Sequence, residues 1–379
     1  MSAGPQVKPI YPIYRLDGRT FRIGAQLGIT AEFDDPDGQM WTLVSNLDGR
    51  DLSEVVDAVL AQHPELRAED VTDGVALLAS HGFLAGVVPE DRALPALDRR
   101  YDASVTYFGH FAHVDEDPSR PLRTLRDSSV LLLGLGGGGS NILSLLAGCG
   151  VGRIVAVDKD AVELANLGRQ ILYRESDVGR PKAVVAAERM AELNSTCQVE
   201  AHVLAVRGPA DVTRLLEGID LVVCAIDEPP FVAQRVVNAA CVARSVPCVY
   251  GASQVTRGRV FGVIPHVSGC FDCINIHYTK KDPQFVAQFV GFQQSDFSPP
   301  SIAFPPPILL LSSVIVDEAV RILTGYLPPR CVGTQFEVDY VSGAAYPLLD
   351  WPHLPEDCPT CGVGSESAWE VFTHYQAVP

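Results

Sequence analysis

The stretch Val130-Leu131-Leu132-Leu133-Gly134-Leu135-Gly136-Gly137-Gly138-Gly139-Ser140-Asn141 constrains this chain more than any other. Four apolar residues predict a buried strand, and the Gly134-x-Gly136-x-x-Gly139 spacing predicts a sharp turn into a helix. Glycines let the backbone approach phosphate oxygens, while free N–H groups at the helix start attract an anion. The stretch reads as a nucleotide-binding loop. By itself it suits a dinucleotide dehydrogenase as well as an ATP enzyme.

Downstream, strand-like and helix-like runs alternate: strand Val130 to Leu133, helix Ser140 to Gly148, strand Arg153 to Val157, helix Lys182 to Leu193. Strand Leu221 to Ala225, helix Pro230 to Arg244 and strand Cys248 to Tyr250 continue the series. This order predicts an α/β fold with a doubly wound, mostly parallel sheet, whose ligands lie at the carboxyl ends of the strands. No internal repeat or low-complexity tract interrupts it.

The neighbours of the loop tip the nucleotide choice. Asp158 ends the strand Ile154-Val155-Ala156-Val157, where a carboxylate can take a ribose hydroxyl in NAD or ATP alike. Asn166-Leu167-Gly168-Arg169-Gln170 and Gly179-Arg180-Pro181-Lys182 then supply cations. A triphosphate attacked at its α-phosphorus needs Arg169 and Lys182 to neutralise the transition-state oxygens and the departing pyrophosphate, a need no nicotinamide site has. Asp227, delivered by the buried run Leu221 to Ile226, is placed to hold Mg²⁺ bridging phosphates, or else to cap the following helix.

Ten cysteines occur in 379 residues. Cys149, Cys197, Cys224, Cys241, Cys248 and Cys331 are scattered in ordinary contexts, as buried reduced thiols are. Cys270-Phe-Asp-Cys273 and Cys358-Pro-Thr-Cys361 instead form two x₂-spaced pairs, enough thiolates for a tetrahedral structural zinc that would pin the C-terminal tail.

A net charge of −17 without a Lys/Arg run argues against a nucleic-acid partner. The N-terminus lacks the apolar core of a secretion signal, and Pro307 to Val316 is too short to span a bilayer, so no membrane partner and a cytoplasmic location are expected.

Residues 1–98 read as a separate unit. Strand-like pieces lie within Ile13 to Ala25 and Ile29 to Leu43, with turns at Asp17-Gly18 and Asp37-Gly38. Asp51 and Glu54 have the spacing of a capped helix start, followed by Leu52, Val55, Val56, Val59 and Leu60 on one face; a second helix from Glu69 to Ser80 ends at His81-Gly82. The unit resembles the winged-helix (PqqD-like) domain that recognises leader peptides in enzymes modifying ribosomally made peptides, which implies an extended peptide added to its sheet edge. A dimerisation or structural cap is the alternative. Residues 99–128, with Pro118 and Pro121, read as a linker, and 129–379 as the nucleotide-binding domain.

Taken together, Gly134-x-Gly136-x-x-Gly139, Asp158-x-Asp160, Asn166-Leu-Gly-Arg169-Gln170, Gly179-Arg-Pro-Lys182, Ala225-Ile-Asp227, Tyr250-Gly251-Ala252 and the two cysteine pairs resemble the ThiF/MoeB superfamily, relatives of ubiquitin-activating enzymes. The resemblance covers about Arg99 to Gly362. It implies a Rossmann-like adenylation domain that binds ATP and Mg²⁺, carries zinc, and adenylates a C-terminal carboxylate, usually as a homodimer. It gives Asp158 the ribose, Asn166, Arg169 and Lys182 the phosphates, and Asp227 the magnesium; Gly134, Gly136, Gly139 and Gln170 complete the ATP-binding set. Asp227, Arg169 and Lys182 are the implied catalytic residues.

Three departures shape the expected activity. Arg100-Tyr101-Asp102-Ala103-Ser104 carries alanine where many members have an arginine that reaches the neighbouring subunit. Glu228 follows Asp227 where asparagine is common. Between Cys273 and Cys331 there is no cysteine, so no thioester or persulfide relay is supported there. The expected enzyme forms an acyl adenylate on a precursor peptide and hands it to a nitrogen nucleophile or a downstream modifying enzyme, as microcin C adenylating members of the family do. A catalytically silent leader-binding partner of a cyclodehydratase, and a sulfur-carrier protein adenylyltransferase, are the alternatives. Phe289, Phe292, Gln293, Gln294, Phe297 and Pro305-Pro306-Pro307 either frame a peptide tail or pack on a helix from Leu309 to Leu323.

Overall fold

The computed structural model describes residues 4–25, 30–86, 96–226, 228–294 and 303–374. The chain divides into two compact units, Met1–Arg123 and Thr124–Pro379.

The smaller unit contains strands β1 (Pro5–Val7), β2 (Ile13–Arg15), β3 (Thr20–Ile23), β4 (Ala31–Asp34) and β5 (Leu84–Gly86), with helices α1 (Gln39–Asn46), α2 (Leu52–Gln62) and α3 (Ala68–Ser80) between β4 and β5. β2, β3 and β4 form an antiparallel sheet, while β1 pairs with β5. The Asp17-Gly18 turn is a hairpin in which Asp17 Oδ1 accepts the N–H groups of Arg19 and Thr20, both at 2.7 Å. Phe21, Ile23, Leu43, Val55, Val59 and Leu78 are buried together as its core.

Two expectations for this unit fail locally. Asp37-Gly38 is not a hairpin turn but the entry to α1, because the buried Asp35 carboxylate accepts the N–H groups of Met40 at 3.1 Å and Trp41 at 2.9 Å and so caps a helix where a strand had been expected. Asp51 stands at the start of α2 without a side-chain cap bond, and Leu52 stays exposed while Val55 and Val59 are buried. The second helix ends as expected, with Gly82 at φ +74° and Phe83 N–H bonded to Leu78 O.

The stretch expected as a linker is largely helical, with α4 (Asp102–Phe111) and α5 (Arg120–Asp127). Pro121 sits in the first turn of α5, where a missing N–H costs nothing, and Leu122 and Leu125 are fully buried.

The larger unit is built on an eight-stranded sheet. Its strands are β6 (Ser129–Leu133), β7 (Arg153–Val157), β8 (Gln198–His202), β9 (Leu221–Cys224), β10 (Cys248–Ser253), β11 (Arg257–Val263), β12 (Thr334–Asp339) and β13 (Ala345–Asp350), in the order β13-β12-β11-β10-β9-β6-β7-β8. The pairings from β8 through β10 are parallel and those from β10 to β13 antiparallel. The helices are α6 (Gly137–Cys149), α7 (Lys182–Leu193), α8 (Pro209–Thr213), α9 (Val232–Ala243), α10 (Phe271–Lys281), α11 (Phe285–Gln294), α12 (Pro305–Thr324) and α13 (Glu370–His374). From β6 the chain winds outward to β7 and β8, then returns to β9 and winds the other way, so the strand order reverses between β6 and β9. Doubly wound sheets open a ligand crevice at such a reversal.

α6 begins at Gly137 rather than Ser140, so the last three glycines of the loop are helical. Gly139 is pressed onto the turn it follows: a Cβ there would stand 1.8 Å from Gly134 O. α12 begins four residues earlier than expected, because Pro305, Pro306 and Pro307 occupy first-turn positions that need no N–H donor. Replacing Gly139 by alanine forces backbone apart from backbone; we expect a cost of about 1–3 kcal/mol and a fall in Tm of roughly 5 °C in a thermal melt. An unchanged melt would show that the turn relaxes freely.

Candidate functional site

Backbone geometry at the sheet reversal explains the glycine spacing. Gly134 sits at φ +92°, and a Cβ there would stand 2.8 Å from Ala225 O, so the turn after β6 can lie against the end of β9 only as glycine. Its N–H bonds Val157 O at 2.8 Å, and Ala225 N–H bonds Leu133 O at 2.8 Å, closing the crevice floor. Gly136 caps α6, whose first-turn amides have no acceptor within the helix.

Asp158 binds the turn from the side. Its Oδ2 accepts Leu135 N–H at 2.6 Å and its Oδ1 accepts Asp160 N–H at 2.8 Å. Each oxygen keeps lone-pair capacity for a further donor such as a sugar hydroxyl. On the other side the Tyr173 hydroxyl donates to Leu135 O at 2.9 Å, and burial followed by the charges of Asp158 and Asp177 pushes its pKa well up, so it stays a donor.

The expected cations reach this turn from two directions. Lys182 opens α7 with its side chain only 7% exposed; its Nζ is 3.6 Å from Asp160 Oδ2, and its N–H bonds Asp160 O at 2.9 Å. Asn166 is buried in a tight helical turn, its Oδ1 accepting Glu163 N–H at 3.1 Å and its carbonyl accepting the N–H groups of Arg169 and Gln170. Arg169 is half-buried, with its stem 3.7 Å from where a Gly137 Cβ would stand and Nη1 on Ala165 O at 3.0 Å. Gln170 is 2% exposed, its Nε2 is 3.9 Å from a Gly136 Cβ position, and its Oε1 is buried with no partner among the described residues. The cradle without side chains at Gly136 and Gly137 fits a phosphate-bearing ligand.

The glycine turn, Asp158 and Lys182 border a cavity of about 380 Å³ that is lined also by Asp160, Leu204, Val206, Val232 and Val236. Charged and apolar groups lining one crevice suit a nucleotide's phosphates and base. Asp227 lies outside the described residues, as do Phe297 and the side chains of Phe289, Phe292 and Gln293; Glu228, beside Asp227, lines the cavity. Gly139, Asn166, Arg169 and Gln170 do not line this cavity.

The four cysteines of the two x₂ pairs come together. Cys270 Sγ is 3.5 Å from Cys358 Sγ, Cys273 Sγ is 3.4 Å from Cys361 Sγ, and all four sulfurs lie within 4.8 Å of one another. Disulfide sulfurs stand at about 2.0 Å, whereas four thiolates around a tetrahedral zinc stand roughly 3.8 Å apart. The cluster fits a closed structural zinc site.

The ThiF family pattern matches residues 109–360. The chain belongs to the ThiF family. It is 38% identical over 151 residues to the adenylyltransferase and sulfurtransferase MOCS3 of Arabidopsis thaliana, a match covering 40% of this chain and 32% of that protein. It is also 38% identical over 259 residues to the sulfur carrier protein adenylyltransferase of Thermus thermophilus, covering 67% of this chain and 88% of that protein. The chain thus spans about a third of the plant relative's length. Escherichia coli MccB, solved with ATP, has a like fold at TM-score 0.75 and 19% identity, over 94% of this chain and 99% of that one.

The ThiF crevice contains residues that sequence reasoning passed over. Lys159, next to Asp158 past the end of β7, lines it, as do Arg207 and the segment Leu204 to Val206, brought there by β8, whose alternation Gln-Val-Glu-Ala-His is that of a polar edge strand and carries no continuous apolar run. Leu204 N–H bonding Asp158 O at 3.3 Å sets that segment beside the acid. Metal analysis should find about one zinc per chain, and Cys270→Ser or Cys358→Ser should lose it and lower Tm. A fully folded protein stripped of zinc would refute the structural site.

Proposed function

We propose that this chain is an ATP-dependent adenylyltransferase that activates a carboxylate of a ribosomally made peptide as an acyl adenylate. A carboxylate oxygen attacks the α-phosphorus, the bond between the α- and β-phosphates breaks, and pyrophosphate leaves with the electron pair. The crevice at the β6/β9 reversal carries this reading, because it gathers Gly136, Asp158, Asp160 and Lys182 around one cavity.

In this reading the amides at the start of α6 hold phosphate oxygens, Asp158 takes the ribose, and Lys182 and Arg169 neutralise charge on the α-phosphoryl and the leaving group. Asn166 and Gln170 set the loop that carries Arg169. Asp227, with Glu228 next to it, would hold Mg²⁺, which draws electron density from the phosphate oxygens.

The peptide substrate is supported by how far the likeness runs. MccB matches 96% of this chain, which takes in the N-terminal unit, and it has been solved with MccA, in one case N-formylated, while described as a microcin C7 biosynthetic enzyme. In this reading the small unit, 1–98, is a winged-helix leader-peptide domain, 99–128 joins it to the adenylation domain of 129–379, the enzyme works as a homodimer, and a nitrogen nucleophile or a downstream enzyme consumes the adenylate. A second reading, activation of a small sulfur carrier protein, is favoured by the Thermus thermophilus relative, which aligns over most of its length.

ATP–pyrophosphate exchange separates the two. Exchange should be stimulated by a short precursor peptide encoded beside this chain's gene and not by a sulfur carrier protein, and it should fall about a hundredfold or more in Lys182→Ala and Asp227→Ala. Exchange that survives both substitutions would sink the adenylation mechanism; stimulation by the carrier alone would establish the second reading.

A further inference from the structure

Helix α9 has two occupied sides. Val232, Ala233 and Val236, together with Pro229 just before it, line the nucleotide cavity, and Gln234 Nε2 donates to Ile226 O at 3.3 Å in the loop that leads to Asp227. On its other side α9 is fastened to the cysteine cluster. Arg235 Nε lies 3.2 Å from both oxygens of Asp272, the residue between Cys270 and Cys273, and Asn238 Oδ1 accepts Phe271 N–H at 2.9 Å.

Asp272 joins the two halves of the cluster. It is fully buried, and its Oδ2 accepts the Thr360 hydroxyl at 2.6 Å, from the turn between Cys358 and Cys361. Arg235 itself is 12% exposed, bonds Glu366 through Nη2, and lies with its guanidinium carbon 4.4 Å from the ring centre of the buried Phe372. A planar, always-charged fork held by a carboxylate, a second acid and an aromatic face has one position available to it. Arg235 therefore reads the placement of both cysteine turns and passes it to a helix whose opposite side is a wall of the crevice.

We infer that Arg235 is a positioning residue for nucleotide binding, coupling the four-cysteine cluster through Asp272 to the cavity wall formed by α9. A zinc ion held by the four sulfurs would fix both cysteine turns and with them Asp272, and Arg235 carries that placement to Val232 and Val236 on the crevice wall. The inference rests on the nucleotide reading of that crevice. It requires that outer contacts of a metal site, which orient its ligands, also brace the neighbouring crevice wall.

The test uses the full zinc-bearing chain, with ATP as the probe. ATP affinity by titration calorimetry, zinc per chain, Tm, and the KM and kcat of pyrophosphate exchange are measured for the unaltered protein, Arg235→Gln and Arg235→Lys. Arg235→Gln should raise both the ATP Kd and the KM for ATP about tenfold, with kcat within about twofold and zinc retained. Arg235→Lys, which keeps the charge but not the fork, should fall between. An ATP affinity equal to that of the unaltered chain, with or without loss of zinc, overturns the coupling and leaves Arg235 a local brace. If Arg235→Gln does not fold, Arg235→Lys decides alone: weakened ATP binding with zinc in place supports the coupling, unaltered binding overturns it. Absence of ATP binding in the unaltered chain would overturn the nucleotide reading and the coupling with it, whereas binding that is indifferent to position 235 overturns the coupling only.

Discussion

The two hydrogen bonds accepted by the Asp158 carboxylate, from Leu135 N–H and from Asp160 N–H, tie the end of β7 to the glycine turn after β6, and the larger unit's ligand crevice leans on that tie. The tie acts beside the Tyr173 hydroxyl on Leu135 O and the Gly134 N–H on Val157 O, which hold the same glycine-rich turn. With it, Gly136 is fixed as the start of α6, Asp160 is fixed beside Lys182, and the segment after β8 is drawn in by its bond to Asp158 O. The carboxylate of Asp158 thus joins two strand ends, and the main-chain carbonyl of the same residue takes in the third.

The crevice and the cysteine cluster are two ends of one continuous apolar core. Val232, Val236, Tyr250, Phe261, Phe271, Cys270, Cys358 and Phe372 belong to the same buried set, and Tyr250, Phe261 and Phe271 stack with ring centres 4.7 and 5.7 Å apart along the way. Close-packed interiors transmit displacement rather than absorb it. The C-terminal tail is thus part of the same core as the crevice wall, packed behind α9.

What the sequence disclosed follows the strength of the local physics. Long apolar strands such as β6, β7 and β9, and glycine and cysteine spacings, are dictated by backbone sterics and metal chemistry that leave few options, and the parallel sheet, the turn and the four-sulfur cluster were readable from them. The edge strand β8 was not, since its polar alternation has no buried run, and with it Arg207 was passed over. α1 was misread because its cap comes from Asp35, ahead of the Asp37-Gly38 pair that looked like a hairpin turn. The Arg235–Asp272 bond was invisible for a different reason: it spans 37 residues and depends on where two helices meet.

The three prolines that open α12 have a bearing on electrostatics. Ile308, just behind them, comes within 3.8 Å of a Gly137 Cβ position, so the starts of α12 and α6 are neighbours. Two adjacent helix starts would ordinarily compete for the same anion, each with its own fan of unclaimed amides. Proline has no N–H, and Ile308 already bonds back to Phe304 O, so α12 has withdrawn from that contest. Where these two helices meet, the unclaimed first-turn amides are therefore those of α6 alone.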